Sequence, residues 1–373
     1  MLNVGELNPP QRILLGPGPS NVHPRVYKAL STPLVGHLDA EFLKIMNEIQ
    51  ELLRFVFQTK NALTIAISGT GSAGMEAAFV NVIEPGDTVI VGVNGVFGTR
   101  MSDIVTRSRG KLISIRTPWG NIVDPQRIED ELRNANHVKA VALVHAETST
   151  GVLQPLEEVG ELCKKYGALF IVDAVTSLGG VPVEVDKWNI DVCYSGTQKC
   201  LSCPPGLSPI TFSDNSMKAV QNRKTKIQSW YLDVSMIANY WAEGKRAYHH
   251  TAPISMNYAL REALRLVQEE GLEARFERHK HNSTSLIDGI QKLKLEPFVN
   301  EDIRLQTLNS IKVQMNVNEL MVRKKLLNEY GIEIGGGLGD LAGKIWRIGL
   351  MGESSTKANV VYLLDALQEI LSK

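Results

Sequence analysis

The residue with the clearest potential for chemistry is Lys199, which follows the short polar run 195–198 (SGTQ). A lysine amine becomes a nucleophile toward aldehydes where its surroundings stabilise or expose the neutral amine. The run comes directly after the apolar segment 190–194, which predicts a buried strand that ends in a cleft. Because most lysines are surface-exposed, Lys199 is assigned chemistry only if the rest of the chain builds a cofactor site around it.

Two other charged residues lie within apolar segments. Asp173 ends the apolar segment 169–172, and a carboxylate buried there needs a cationic or hydrogen-bonding partner, because burying it alone is costly. A pyridinium N–H would serve as that partner. Arg347 lies inside the apolar segment 344–349. It is either an edge arginine whose guanidinium reaches solvent or a bidentate clamp for a carboxylate.

The elements that must position these residues alternate along the chain. Strands are predicted at 62–67, 88–93, 111–116, 140–145 and 169–172, and helices at 41–57, 75–83, 125–133 and 156–166. Such alternation predicts an α/β fold with a mostly parallel sheet and helices on both faces. We expect one further, antiparallel strand at 209–212. Ligands of such sheets lie beyond the carboxyl ends of the strands.

Two of these strand ends carry residues suited to a ligand. The glycine loop 68–74 (SGTGSAG) joins a predicted strand to a predicted helix. It indicates a phosphate site, since its N–H groups and the helix N-terminus favour an anion, or simply a tight turn. No lysine follows the glycines, which argues against a nucleotide P-loop. Phe97 follows the strand at 88–93 and either stacks on a planar ring or caps the core.

Composition narrows the class of protein. The chain has 373 residues, 43% of them hydrophobic and 21% charged, which is typical of a globular protein of about two domains. Lys+Arg and Asp+Glu each total 40, so the net charge indicates neither a nucleic acid nor a membrane as partner.

Cys200 and Cys203 have the spacing of a redox or zinc motif, but no second close pair follows; they are incidental thiols or serve a metal or redox role. We expect no metal site, and a cytoplasmic protein, since no apolar run suits a membrane span or signal sequence.

Several longer motifs point to one family. They are 15–21 (LGPGPSN), 149–155 (STGVLQP), 194–199 (YSGTQK), 248–251 (YHHT) and 347–352 (RIGLMG). With the glycine loop, Phe97 and Asp173, they resemble the class V aminotransferases of fold type I, in particular the alanine–glyoxylate and serine–pyruvate aminotransferases, over nearly the whole chain. The resemblance implies a large domain with a mostly parallel seven-stranded sheet between helices and a smaller α+β C-terminal domain. The implied boundaries are an arm at 1–22, a cofactor-binding domain at 23–255, and a linking helix with the small domain at 256–373.

The resemblance also implies the roles of individual residues. Lys199 would hold pyridoxal 5′-phosphate as an internal aldimine and move the proton during turnover, and Asp173 would keep the pyridine nitrogen protonated. The other implied cofactor contacts are Phe97 and Val175 on the ring faces, Thr148 at the ring hydroxyl, Gly71, Ser72 and Gln198 at the phosphate, and Tyr248 and Thr251 reaching in from a partner subunit. The implied substrate contacts are Arg347 at the carboxylate, Thr148, and Gly18, Gly36 and His37, through which the other subunit's arm would line the pocket.

These roles imply a homodimer with shared active sites that moves an amino group from alanine or serine to glyoxylate or pyruvate by a ping-pong mechanism. Its partners would be small amino and 2-oxo acids. Two alternatives stay open. The same cofactor could serve another donor, such as 3-hydroxykynurenine, or a lyase or desulfurase reaction using Cys200; or the chain could bind the cofactor without catalysis. Animal members usually carry Trp in place of Phe97 and His in place of Ser72, so this pocket resembles bacterial or plant serine–glyoxylate relatives.

Overall fold

The computed structural model describes residues 2, 4–242 and 246–372. The predicted arm, large domain and small domain include Met1, Asn3, residues 243–245 and Lys373, which lie outside the described residues. The α-helices are α1 (Pro24–Leu30), α2 (Ala40–Phe57), α3 (Gly71–Val82), α4 (Val96–Arg107), α5 (Pro125–Asn134), α6 (Glu157–Tyr166), α7 (Asp214–Gln221), α8 (Val234–Trp241), α9 (Ile254–Glu270), α10 (Leu272–Lys292), α11 (Glu319–Glu329) and α12 (Lys357–Leu371).

The strands alternate with these helices in the first half of the chain and become shorter in the second. They are β1 (Ile13–Leu14), β2 (Leu63–Ser68), β3 (Thr88–Val93), β4 (Lys111–Arg116), β5 (Ala140–Val144), β6 (Ala146–Glu147), β7 (Val152–Leu153), β8 (Leu169–Asp173), β9 (Val192–Tyr194), β10 (Leu207–Phe212), β11 (Leu308–Lys312), β12 (Ile332–Glu333), β13 (Gly335–Gly336) and β14 (Ile345–Gly349).

Within the described residues the main sheet has seven strands in the order β2-β10-β9-β8-β5-β3-β4. Strand β10 runs antiparallel to both of its neighbours, whereas the other neighbouring strands are parallel. The predicted α/β fold, its mostly parallel seven-stranded sheet and the antiparallel strand near 209–212 are therefore confirmed. The strands are almost wholly buried because helices cover both faces, which is why their sequences read as continuous apolar runs.

The register of the central strands brings their last residues together. Val144 of β5 lies opposite Asp173 of β8, and Asp173 lies opposite Tyr194 of β9. The polar segments that follow these strands therefore leave the sheet side by side at one edge. This edge is the carboxyl end of the parallel strands, where a ligand is expected.

Helix α2 shows how the sequence pattern sets a local element. Its predicted start at residue 41 agrees with the observed start at Ala40 to within one residue, and the Asp39 side chain accepts a hydrogen bond from the Glu41 N–H. The helix ends where Gln58 takes a left-handed conformation, φ 52°. Its apolar stripe, which includes Phe42, Met46 and Leu53, is buried in the main core.

Helix α3 begins earlier than the sequence predicted, at Gly71 rather than Met75. The sequence predicts a non-helical glycine loop, yet two of its glycines lie in the first turn, where neighbouring segments approach closely. A Cβ at Gly71 would lie 3.3 Å from Val175, and one at Gly74 would lie 2.0 Å from the Ser208 hydroxyl. Close approach to the neighbouring strand ends, rather than helix termination, accounts for these glycines.

A second cluster of buried side chains lies in the C-terminal part of the chain. It joins Leu286 and Ile290 of α10 to Trp346 of β14 and Leu363 of α12, around a small antiparallel sheet in the order β11-β14-β13. Leu15 belongs to the same cluster, and β1 pairs with β12. The boundaries at 22/23 and 255/256 stay a prediction. Among the described residues, no helix is both long and apolar enough to cross a membrane.

Candidate active site

A cavity of about 180 Å³ opens at the carboxyl edge of the main sheet. Its walls come from four different segments, and seven of the residues singled out from the sequence line it: Gly71, Ser72, Phe97, Asp173, Val175, Gln198 and Lys199. Thr70, Met75 and Arg100 complete the lining. A larger depression of about 630 Å³ lies where the strands begin, beside Lys139, Leu169 and Asp191; because it is at the opposite edge of the sheet, we place the active site at the smaller cavity.

Lys199 is 8% exposed. Burial lowers the pKa of its amine to about 8, and the charge of Arg347 acts in the same direction. The amine donates a hydrogen bond to the carbonyl of Pro17. Two hydrogen bonds fix the backbone at Lys199. The Ser20 hydroxyl donates to the Lys199 carbonyl at 2.8 Å, and the Arg275 guanidinium on α10 donates to the Cys200 carbonyl at 2.6 Å.

Asp173 is 2% exposed, and burial raises the pKa of its carboxyl to about 7. Its Oδ1 accepts a hydrogen bond from the Val175 N–H at 2.8 Å, and its Oδ2 accepts one from the Tyr194 hydroxyl at 3.0 Å. The sequence predicted that this carboxylate needs a partner but did not identify Tyr194. The available signal was that both residues end predicted strands, which become neighbours once the strand order is known.

Glu147 is a second residue whose role the sequence did not reveal. It is fully buried; its Oε1 accepts from the Ser149 N–H and hydroxyl, and its Oε2 accepts from the Phe97 N–H at 3.2 Å. Burial raises the pKa of this carboxyl. A Cβ on Gly95 would lie 2.3 Å from the Glu147 carboxyl carbon, so the strand end and the start of α4 are packed directly on the glutamate. Glu147 therefore fixes the position of Phe97.

Phe97 is in contact with Arg100, another residue of the pocket. It belongs to the first turn of α4 and, like Val175, lines the cavity. The guanidinium of Arg100, one turn later, lies 5.0 Å from the centre of the Phe97 ring, and its Nη1 is 3.2 Å from the Ser72 hydroxyl. The hydroxyl and the ring are thus linked through one arginine, which the sequence analysis did not single out.

Arg347 lies in the middle strand of the small sheet and is 6% exposed. The interpretation as an edge arginine reaching solvent is therefore wrong, because β11 and β13 flank its strand on both sides. Its Nε donates to the Gly336 carbonyl at 2.7 Å and its Nη1 to the Thr148 carbonyl at 3.1 Å. Burial lowers the pKa of its guanidinium to about 10. The Thr148 hydroxyl is hydrogen-bonded to that of Thr176.

The N-terminal segment enters the pocket of its own chain. A Cβ on Gly18, which has φ +101°, would lie 2.6 Å from the Lys199 amine, so only glycine fits there. The expectation that Gly18 reaches the other subunit's pocket is corrected by this contact. The physical reason is that β1 pairs with β12 of the same chain, which leads the next residues over Lys199.

The other residues expected at a subunit boundary lie elsewhere. His37 and Tyr248 are in contact, with ring centroids 5.3 Å apart, and Tyr248 is 60% exposed. Gly36 and Thr251 are exposed as well. In the described part of the chain, none of these four residues lines the cavity around Lys199.

The cysteines show no sign of the alternative chemistries. Cys163, Cys193, Cys200 and Cys203 are free and buried, and burial raises the pKa of the Cys200 thiol to about 11, which opposes a nucleophilic thiolate. Among the described residues, no group of three or more His, Cys, Asp or Glu side chains could hold a metal ion.

Comparison with known proteins agrees with this fold and site. Residues 21–371 match the family model Aminotransferase class-V, and the chain belongs to that family. Its members are generally pyridoxal-phosphate-dependent and act on small amino and oxo acids, so the chain is an aminotransferase of fold type I.

Individual relatives are similar along most of their length. The crystal structure of alanine–glyoxylate aminotransferase from Nostoc sp. superposes with a TM-score of 0.97 at 49% identity, covering 99% of this chain and 98% of that one. The (S)-ureidoglycine–glyoxylate transaminase of Bacillus subtilis (strain 168) is 42% identical over 98% of this chain and 92% of its own length. Alanine–glyoxylate aminotransferase of Callithrix jacchus is 44% identical over 98% and 89%, respectively.

Proposed function

We propose that this chain is a pyridoxal-phosphate transaminase that moves an amino group to glyoxylate or pyruvate, with alanine or serine as donor, and that Lys199 and Asp173 carry the catalysis. The observation that carries the proposal is that one small cavity holds a buried lysine whose pKa falls to about 8 and a buried carboxyl whose pKa rises to about 7. An aldehyde that carries a basic ring nitrogen fits both groups. The neutral amine attacks the aldehyde, and a pyridinium N–H offsets the free-energy cost of burying the carboxylate.

The remaining lining residues fit the same cofactor. The glycine loop opens α3 with its N-terminus toward the cavity, and Thr70 before it makes no side-chain capping hydrogen bond. The Gln198 side chain lines the cavity as well, and its amide NH₂ can donate to an anion. With Gly71 and Ser72, this end would hold the phosphate, while Phe97 and Val175 would enclose the ring and Thr148 would lie at its hydroxyl.

When bound, pyridoxal phosphate supplies an electron sink for the electrons of the bond broken at the substrate Cα. The chain's own residues do the rest. Once the substrate amine has replaced it on the cofactor, the Lys199 amine would move the proton between the substrate Cα and the carbon that carried the aldehyde, and Asp173 would hold the proton on the ring nitrogen. Nη2 of Arg347 has no hydrogen-bond partner among the described residues, so the guanidinium would bind the substrate carboxylate.

The substrates follow from the relatives. The activities in the names of the Nostoc, Bacillus and Callithrix proteins share glyoxylate and differ in the amino donor, alanine or (S)-ureidoglycine. We therefore take glyoxylate as the first acceptor, alanine or serine as the donor, and (S)-ureidoglycine as the second donor to test. The buried Cys200 thiol speaks against a desulfurase.

A homodimer is part of the proposal. Gly36, His37, Tyr248 and Thr251 lie on the surface of their own chain and away from its cavity. A second copy would bring them to a pocket, where Tyr248 and Thr251 would complete the phosphate site and Gly36 and His37 would border the substrate. The arm at 1–22 would be packed on its own chain from Ile13 onward.

The test is a panel of half-reactions. The cofactor-loaded protein is mixed with alanine, serine, (S)-ureidoglycine or 3-hydroxykynurenine while the cofactor's visible absorbance is followed, and glyoxylate or pyruvate is then added. We expect alanine or serine to bleach the band and glyoxylate to restore it. Lys199→Ala should abolish both the lysine-bound absorbance and turnover. A protein that binds the cofactor but reacts with no amino acid would overturn the transaminase proposal.

A further inference from the structure

Arg100 lines the proposed cofactor cavity, yet the proposed function gives it no role. It lies on α4 one turn after Phe97, with its guanidinium over the Phe97 ring and Nη1 at the Ser72 hydroxyl. Within the described part of the chain, no carboxylate is within ion-pair distance of it. By contrast, Arg107 on the same helix is paired with Asp103 at 2.7 Å. Arg100 is thus a cation without a counter-ion at the mouth of the pocket.

The phosphate end of the cavity lacks a positive charge apart from Arg100. The groups proposed there are the N–H groups and hydroxyl of Gly71 and Ser72 and the amide of Gln198, which are all neutral. Tyr248 and Thr251, proposed to arrive from a second copy, are neutral too. Lys199 is the other cation of the lining, but its amine is committed to the aldehyde. A phosphate dianion held only by neutral donors would lose the charge-assisted hydrogen bonds that usually dominate such sites.

We propose that Arg100 is the charge partner of the cofactor's phosphate. The inference rests on the proposed function, because it requires that pyridoxal phosphate binds in this cavity. Guanidinium geometry suits phosphate oxygens, and a cation over an aromatic face is attracted to it. Arg100 already donates a hydrogen bond to the Ser72 hydroxyl, which is proposed to hold the phosphate. Arg100 would bind phosphate oxygens beside Ser72.

The alternative is that Arg100 only holds Phe97 in place. Pyridoxal, which carries the aldehyde and the ring but no phosphate, separates the two roles. A phosphate partner contributes to binding of pyridoxal phosphate and not of pyridoxal, whereas a support for the Phe97 ring contributes equally to both.

The experiment measures dissociation constants of pyridoxal phosphate and pyridoxal for the cofactor-free full chain, by absorbance titration, in four proteins: wild type, Arg100→Gln, Arg100→Lys and the control Arg107→Gln. We expect Arg100→Gln to weaken pyridoxal phosphate by ~10-fold or more and to leave pyridoxal within ~2-fold, as for loss of a charge-assisted hydrogen bond. The affinity of Arg100→Lys for pyridoxal phosphate should lie between those of wild type and Arg100→Gln, since lysine keeps the charge but not the paired N–H donors of the guanidinium. Arg107→Gln should match wild type.

Inorganic phosphate gives a second measurement. Added together with pyridoxal, it should raise the apparent affinity of wild type for pyridoxal and have less effect on Arg100→Gln. Equal losses of both ligands in Arg100→Gln would overturn the inference in favour of ring support alone, and unchanged affinities would overturn it altogether. If wild type itself fails to bind pyridoxal phosphate, it is the proposed function that fails. Thermal unfolding of each variant checks that the exposed substitutions leave the fold intact.

Discussion

The two ends of the proposed cofactor cavity are built in different ways. At the ring end, Asp173 and Glu147 are fully enclosed and each accepts hydrogen bonds from neighbouring segments of the same chain. At the phosphate end, Arg100 is exposed to solvent and, among the described residues, has no carboxylate within ion-pair distance. The ring end is preorganised before any ligand arrives, so it determines chemistry. The phosphate end becomes satisfied only when an anion binds, so it determines affinity.

The largest effect should follow from removing the charge at the ring end. Asp173→Asn keeps the shape and both neighbours but no longer holds a proton on a ring nitrogen, so turnover should fall on the order of 100-fold or more, as when a preorganised electrostatic partner is lost. The measurement is kcat with the best donor and glyoxylate. A variant with near-normal kcat would show that the ring end does not determine chemistry.

The same substitution should stabilise the cofactor-free protein at alkaline pH. The pKa of Asp173 is about 7 against an ordinary 3.8, so the folded chain holds this proton more tightly than the unfolded chain. Its favourable contribution is complete below pH 4 and is lost as the pH rises through 7. At pH 8, Asp173→Asn should therefore unfold at a higher temperature than wild type by a few degrees, and at pH 4 the difference should vanish.

A smaller effect is expected from loosening the support of Phe97 at the ring end. Glu147→Gln replaces one acceptor oxygen by an amide NH₂ that faces N–H or O–H donors, which should displace the start of α4 and with it Phe97. We expect kcat to fall by ~10-fold, the equivalent of one lost buried hydrogen bond, and the visible circular dichroism of the bound cofactor to weaken.

Glu129→Gln is the matched control for this variant. Glu129 also accepts hydrogen bonds, two from the side chains of Lys165 and Tyr166, but lies on α5 outside the cavity. If both variants lose stability equally and neither changes the dichroism, Glu147 has a structural role only.

The mildest test leaves the sequence unchanged and varies pH. The Lys199 pKa of about 8 lies below the ordinary 10.5, so the neutral amine is half-formed near pH 8 and its fraction increases as pH rises. Reductive methylation of the cofactor-free protein by formaldehyde, followed peptide by peptide in the mass spectrometer, should show Lys199 reactivity levelling off above pH 8. Exposed Lys111 provides the reference in the same sample. A Lys199 profile still rising at pH 10 would contradict the lowered pKa.

The sequence predicted those strands and site residues that are marked by a pattern within a single segment. Alternating apolar segments predicted the sheet, and polar residues after them predicted Asp173 and Lys199 at its edge. Tyr194, Glu147 and Arg100 were not identified as partners because their roles depend on which strands and loops become neighbours, and strand order is not a local property. The early start of α3 was missed for a related reason, since the glycines there respond to Val175 and Ser208, which lie more than 100 residues away.

The N-terminal segment has a consequence for how the chain is made. Ile13 and Leu14 pair with Ile332 and Glu333, and Pro17 accepts a hydrogen bond from Lys199. Synthesis proceeds from the N-terminus, so the residues produced first find their strand partner only after residue 333 has left the ribosome. A truncated product lacking the last 50 residues could complete the main sheet but would leave β1 without its strand partner. Placement of the N-terminal segment over Lys199 is thereby delayed until the polypeptide is nearly finished.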